Sequence, residues 1–242
     1  TFMTLIIFIG SKINSFLKDK KELLKIIIEI LSVFISIITI AFVIGVFSKS
    51  ISSSLSGLER YSFNLNGFFN PMGWSYFLKD LKTATDGQYE GFSFLGLGII
   101  ILLIFNIINI FFNKNVKFAR INYGLLFIII VFLIFSLSNT ITFFNKTLIR
   151  VPLPDIIKNL WSIFRSTGRM IWPVYYLIII RNIKTLICNE NYKTNLNVLL
   201  ILFFVLIIQL GDFSQNIKQK HQYYSTTITY QSPLKSEFWN TA

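Results

Sequence analysis

Two arginines spaced four apart, Arg165 and Arg169 in the run FRSTGR (Phe164 to Arg169), are the groups in this sequence best suited to holding an anion. A guanidinium is permanently charged and binds phosphate or carboxylate oxygens through a planar fork of donors. On an unbroken helix the pair would share a face, and Gly168 between them could equally open the backbone. The chemistry such a pair offers is capture of a lipid-linked phosphate; the plain alternative is snorkelling to ordinary headgroups, or pairing with Asp155 or Glu90.

A second cluster lies upstream: Tyr61, Asn64, Asn66, Asn70-Pro71 and Trp74, then Asp86-Gly87-Gln88-Tyr89-Glu90. Amides, aromatic rings and carboxylates in one loop are the groups that bind sugar hydroxyls and stack on sugar faces. Gln88, Tyr89, Glu90, Asn66 and Trp74 are therefore candidate substrate contacts beside Arg165 and Arg169, and a carboxylate at a membrane edge, as Glu90 would be, can serve as an acid or base. The alternative is a loop folded on its own hydrogen bonds. Glu29, inside an apolar run, is expected to pair with Lys25 one turn earlier. Asn106 and Asn109 are expected to bond across helices, and Gly91, Gly96 and Gly98 to allow close helix packing. With one cysteine, Cys188, and one histidine, His221, neither a disulfide framework nor a zinc site is expected, and no cofactor is evident.

The elements that must position these residues are membrane helices. Hydrophobic residues make up 53% of the 242 and charged residues only 14%, against about 25% charged in a typical soluble domain. The apolar residues form blocks, among them Ile26–Phe47, Ile99–Phe112, Leu125–Leu137 and Leu196–Leu210, which with their uncharged flanks approach the roughly 20 residues needed to span a bilayer. The expected fold is an all-α polytopic bundle over 1–210 with about six spans: 2–9 (truncated), 26–47, 92–112, 123–142, 170–187 and 196–210. Outer loops are 48–90 and 143–169, and 211–242 begins a further extracytoplasmic region. Opening at Thr1 inside an apolar stretch, without a charged leader segment, the chain is expected to be an internal fragment.

A net charge of +12 would point to nucleic acid in a soluble protein. Here the three short loops hold 11 of the 23 Lys and Arg residues, so the basic side is cytoplasmic, no nucleic-acid partner is expected, and the long loops and C-terminal tail fall outside. Leu153, Ile156, Ile157, Leu160, Trp161 and Phe164 recur at helical spacing, with Asp155, Lys158, Asn159, Ser162 and Arg165 opposite. This predicts an amphipathic helix over Pro154–Phe164 lying in the outer interface.

Three stretches together, YSFNLNGFFNPMGWS, DGQYEGFSFLGLG and LPDIIKNLWSIFRSTGRMIWPVYY, resemble an uncharacterised family of large bacterial multi-spanning proteins allied to the GT-C glycosyltransferases. The resemblance covers roughly Gly45 to Tyr176, with a tail up to Trp239. It implies a bacterial cytoplasmic-membrane protein with a polyprenyl-phosphate sugar as donor, and the lipid bilayer and a lipid-linked glycan or sugar as partners. It also implies that the catalytic carboxylate lies before this chain, in the first outer loop of the whole protein, leaving Arg165 and Arg169 a supporting role. The rival readings are a transporter or flippase, which calls for charged residues deep in several spans, and a non-catalytic assembly subunit for cell-envelope glycans.

Overall fold

A computed structural model describes residues 2–18, 23–43, 56–112, 122–162, 164–188 and 195–225. Eight α-helices dominate: α1 Phe2–Lys18, α2 Leu23–Val43, α3 Ser56–Arg60, α4 Leu97–Phe112, α5 Tyr123–Leu137, α6 Asp155–Ser162, α7 Trp172–Ile187 and α8 Asn195–Ser225. Two 3-10 helices, Asp86–Gly91 and Thr167–Ile171, carry the two candidate motifs. α2, the continuous run Thr167–Ile187 and α8 are long and apolar enough to cross a bilayer, and the chain is a membrane protein. The other three expected spans form shorter apolar helices, Met3–Leu17, Leu97–Phe112 and Tyr123–Leu137.

The helices pack as two neighbourhoods joined by α7. α1 lies along α5 and α8 along α4, while α7 touches both α4 and α5. One core gathers Ile6, Phe63, Ile128, Phe132 and Ile171; the other gathers Leu102, Leu186 and Val205. Asn106 donates to the side chain and the backbone carbonyl of Asn182 at 2.5 and 2.9 Å, and Asn182 donates to the Ile99 carbonyl at 3.2 Å. This buried amide pair ties α4 to α7, as expected of Asn106. Glu29 finds a different partner from the expected Lys25: it pairs with Lys12 of α1 at 2.5 Å. The neighbouring helix presents its ammonium across the helix pair, and that contact overrides the local spacing.

Several boundaries differ from the sequence reading. The expected span 92–112 becomes helical only at Leu97, because Gly96 takes φ +81° and breaks the chain direction. The expected span 123–142 ends at Leu137, where Ser138 takes φ +62°. Thr140–Phe143 then pairs antiparallel with Lys146–Arg150 as strands β1 and β2, so the all-α expectation is corrected by one hairpin. The β-branched residues of TITF and KTLIR favour the extended backbone, and a two-residue turn with Phe144 at φ +51° joins them. The apolar run ending at Leu210 does not end its helix. α8 continues through Gln, Lys and Ser to Ser225, residues that a helix tolerates well.

Candidate functional site

The two motifs, distant in sequence, meet through glycine. Gly91 closes the first 3-10 helix and Gly168 sits in the second; a Cβ built on either would lie 3.1–3.3 Å from the other's Cα. No larger residue would allow the backbones to cross so closely. The Gly168 N–H donates to the Tyr61 carbonyl at 2.8 Å, and the Trp172 indole donates to the Phe92 carbonyl at 3.0 Å. These contacts hold the first loop against the entry to α7.

Around that crossing lie Arg60, Tyr61, Asp86, Tyr89, Glu90, Arg165, Ser166 and Arg169. Arg169 forms an ion pair with Glu90, its Nε donating to Oε2 at 2.6 Å, and Ser166 Oγ approaches the same oxygen at 3.4 Å. Arg60 grips Asp86 through two bonds, of 2.9 and 2.5 Å. This guanidinium holds the Asp86 carboxyl below the usual carboxylate range. Arg165 has no carboxylate at ion-pair distance among the described residues. Its guanidinium lies 5.4 Å from the Tyr61 ring centroid and 3.5 Å from the phenol oxygen, and Arg60 lies 5.4 Å from the same ring. The phenol, followed by the Glu90 charge, keeps Arg165 still more firmly protonated than an ordinary arginine.

The candidates thus separate. Arg165 and Arg169 do not share a helix face: α6 ends at Ser162, Phe164–Arg165 is a bend, and Arg169 lies in the following 3-10 helix. Arg165 and Tyr89 are both exposed. Glu90 is an ion-pair partner. Gln88 is buried and wholly engaged: it accepts from Asn64 Nδ2 and the Ala84 N–H at 2.9 Å each, and donates to Thr142 Oγ1 at 2.7 Å. Asn66 is also buried, donating to the Lys82 carbonyl at 3.3 Å. Both hold the loop together from inside. Trp74 is 38% exposed, but Phe92 and Phe213 cover part of its ring at centroid distances of 5.6 and 6.2 Å.

The chain belongs to the DUF6311 family. Residues 1–214 match that family, a domain of unknown function. No curated protein and no solved structure matches the chain.

Residues not singled out from sequence brace the site in the DUF6311 chain. Asp212 on α8 is fully buried; its carboxylate accepts from Ser75 Oγ and, at 3.0 Å, from the Leu97 N–H at the start of α4. Gln209, one turn earlier, accepts from the Ile99 N–H and donates to the Leu95 carbonyl, both at 3.3 Å. The pair satisfies backbone groups that the first turn of α4 leaves open. Gly96 and Gly98 make room for it: a Cβ on Gly96 would overlap the Gln209 amide, and one on Gly98 would lie 2.4 Å from the Val205 carbonyl. A Gln and an Asp three apart at the end of an apolar run were the available sequence signal. Glu59 accepts from Asn139 at 2.9 Å and from Arg150 at 2.7 Å, anchoring the hairpin. No group of three His, Cys, Asp or Glu among the described residues could hold a metal ion.

Proposed function

We propose that the DUF6311 chain is the later transmembrane part of a GT-C-like glycosyltransferase that takes a sugar from a polyprenyl-phosphate carrier outside the bacterial cytoplasm. The observation that carries this reading is Arg165: a permanent cation, exposed, steadied by Tyr61 and without a carboxylate partner among the described residues, at the mouth of an apolar helix. The Lys and Arg distribution supports an outward-facing site in the cytoplasmic membrane with the C-terminal tail outside. α6 serves as the interfacial helix: its Trp161 packs 5.0 Å from Phe135 in the last turns of α5, while Ile156 is 76% exposed toward lipid.

In this mechanism the acceptor hydroxyl attacks the anomeric carbon as the bond to the phosphate oxygen breaks. The electron pair leaves with the phosphate, and the acceptor's proton goes to a carboxylate supplied by another part of the protein. Arg165 stabilises the charge gathering on the leaving phosphate, and Glu90 fixes Arg169 beside it. A transporter calls for charged groups lining a path through the spans. Glu29 and Asn106, two polar residues within apolar helices, close on Lys12 and Asn182 instead, which favours the enzyme.

The test is binding of a short-chain polyprenyl phosphate to the full-length protein with Arg165→Lys. Lysine keeps the charge and loses the fork. The lost contact is expected to cost about 1.5–3 kcal/mol, roughly ten- to a hundredfold in affinity, with thermal stability in detergent unchanged. Wild-type affinity in the Lys variant would show that Arg165 merely snorkels.

A further inference from the structure

The loop segment Trp74–Lys79 is pinned to α8. The Tyr76 N–H donates to the Asp212 carbonyl at 2.8 Å, Ser75 Oγ donates to the Asp212 carboxylate, and that carboxylate also receives the first N–H of α4. Asp212 stands just past the apolar run that ends at Leu210, so Tyr76 and Phe77 sit beside the polar end of that run. Phe77 lies against α8 at Gly211, where an added Cβ would come within 4.0 Å of its ring. Yet Tyr76 and Phe77 stay 62% and 59% exposed, edge to face at 5.1 Å, and Lys79 beyond them is exposed as well.

A cover apolar on one side and polar on the other would suit these rings and the lysine beyond them. The neighbouring surface of α8 identifies it: Phe204, Ile207 and Leu210 are about half exposed or more, and only 11% of the helix's apolar window is buried in the protein. That surface is apolar and uncovered by the described protein, as a lipid-facing surface would be, and the two rings continue it. Two side chains also cover far less than the roughly 800 Å² per partner of a stable protein interface. Aromatic rings concentrate where the hydrocarbon meets the headgroups, and a lysine there reaches the phosphates with its long stem.

We propose that Tyr76 and Phe77 form a lipid-interface anchor, lying in the glycerol and headgroup layer of the leaflet on the loop's side with Lys79 at its phosphates. The anchor does not depend on any transfer activity or on which membrane face is external. It fixes the loop that carries Glu90 and Tyr89 at headgroup depth.

The experiment uses the full-length protein with Cys188→Ser, a cysteine at Phe77 or, separately, at Tyr76, and a polarity-sensitive fluorophore on it. The protein is reconstituted into phosphatidylcholine–phosphatidylglycerol vesicles containing lipids nitroxide-labelled at the headgroup or along the acyl chain. A probe at Phe204 gives the deep reference. Eight residues separate Phe204 from Asp212, so the anchor probe is expected about 12 Å shallower, quenched best by headgroup and upper-chain nitroxides and poorly by aqueous iodide. Efficient iodide quenching with no lipid quenching at both positions would overturn the proposal. Shielding from lipid and iodide alike would also overturn it and point to a second copy as the cover. Because neither position touches the Arg165 cluster, polyprenyl-phosphate binding is expected to persist in these variants, which keeps this outcome separate from that of the Arg165 test.

Discussion

Replacing Gly168 by alanine tests the crossing on which the candidate site is built. The added Cβ would lie 2.8 Å from the Tyr61 carbonyl oxygen and 3.1 Å from Gly91 Cα. Even a close C–H···O contact spans about 3.3–3.6 Å, and both obstructing atoms are backbone, so no side chain can swing aside. Gly168 does not occupy the left-handed region, and the effect is therefore steric. Overpacking of this kind costs about 1–3 kcal/mol, and stretching the 2.8 Å bond from Gly168 to Tyr61 adds up to about 1 kcal/mol. For a chain of this size the melting temperature is expected to fall by roughly 5–10 °C in detergent. Gly211→Ala is the matched control. It lies inside α8 with its nearest neighbour at 4.0 Å, so alanine's helix preference of about 0.5–1 kcal/mol should leave stability unchanged or raised. Equal melting temperatures for the two variants would refute the glycine crossing.

Asp212→Asn turns one acceptor oxygen into a donor facing the Leu97 N–H or Ser75 Oγ, and is expected to cost about 1–3 kcal/mol, read as earlier thermal unfolding; Ser75→Ala leaves the helix cap but removes the bond to Asp212 and the two that Ser75 Oγ accepts from the Phe77 and Leu78 N–H groups, so it too should unfold earlier. Asp86 gains Arg60 as its partner on folding and its pKa is depressed, so its contribution is complete above the ordinary carboxylate range and is lost only as pH falls below it. Protection of the Gly87 amide, whose N–H faces the Asp86 carboxylate, should therefore, corrected for intrinsic exchange, hold from neutral pH down to about pH 4 and fail in stronger acid. In Arg60→Gln it should be weak throughout, and equal protection in both proteins would remove the ion pair from the account.

The parts of this architecture that a local pattern encodes were readable. Apolar runs locate the membrane helices, a stripe at helical spacing locates α6 over Asp155–Ser162, and the glycine-rich LGLG stretch does serve close packing. The hairpin was not readable, because β1 continues the apolar run of α5 through β-branched residues, where periodicity cannot separate a short strand from the tail of a helix, and β2, exposed along its whole length, falls in the expected loop 143–169. The end of α8 was missed for the opposite reason: leaving the membrane changes the polarity of a helix without breaking it. Pairings across the fold were the least legible. Glu90 was named as a partner for the two arginines and does pair with Arg169, but Glu29 with Lys12 and Asp212 with the start of α4 are set by which elements become neighbours, and spacing along the chain carries no trace of that. The same holds for Gln88 and Asn66, whose amides look like sugar contacts until the loop is seen closing over them.

The pairings also reshape the electrostatics of the candidate site. Arg60, Arg165 and Arg169 face Asp86 and Glu90, so three guanidiniums meet two carboxylates and one positive charge is left over. That charge resides on Arg165, because the other two arginines already have carboxylates in contact. Two closed pairs beside it do not merely cancel. They fix the backbone around Tyr61, and with it the ring and phenol against which Arg165 rests, so the guanidinium is held without an anion at ion-pair distance among the described residues. A side chain positioned by an aromatic face loses less freedom on taking a phosphate than one that must first leave a carboxylate. In the Arg165 reading, then, Tyr61 is the residue that orients the cation. Glu90 acts at one remove, through Arg169 and the Gly91–Gly168 crossing.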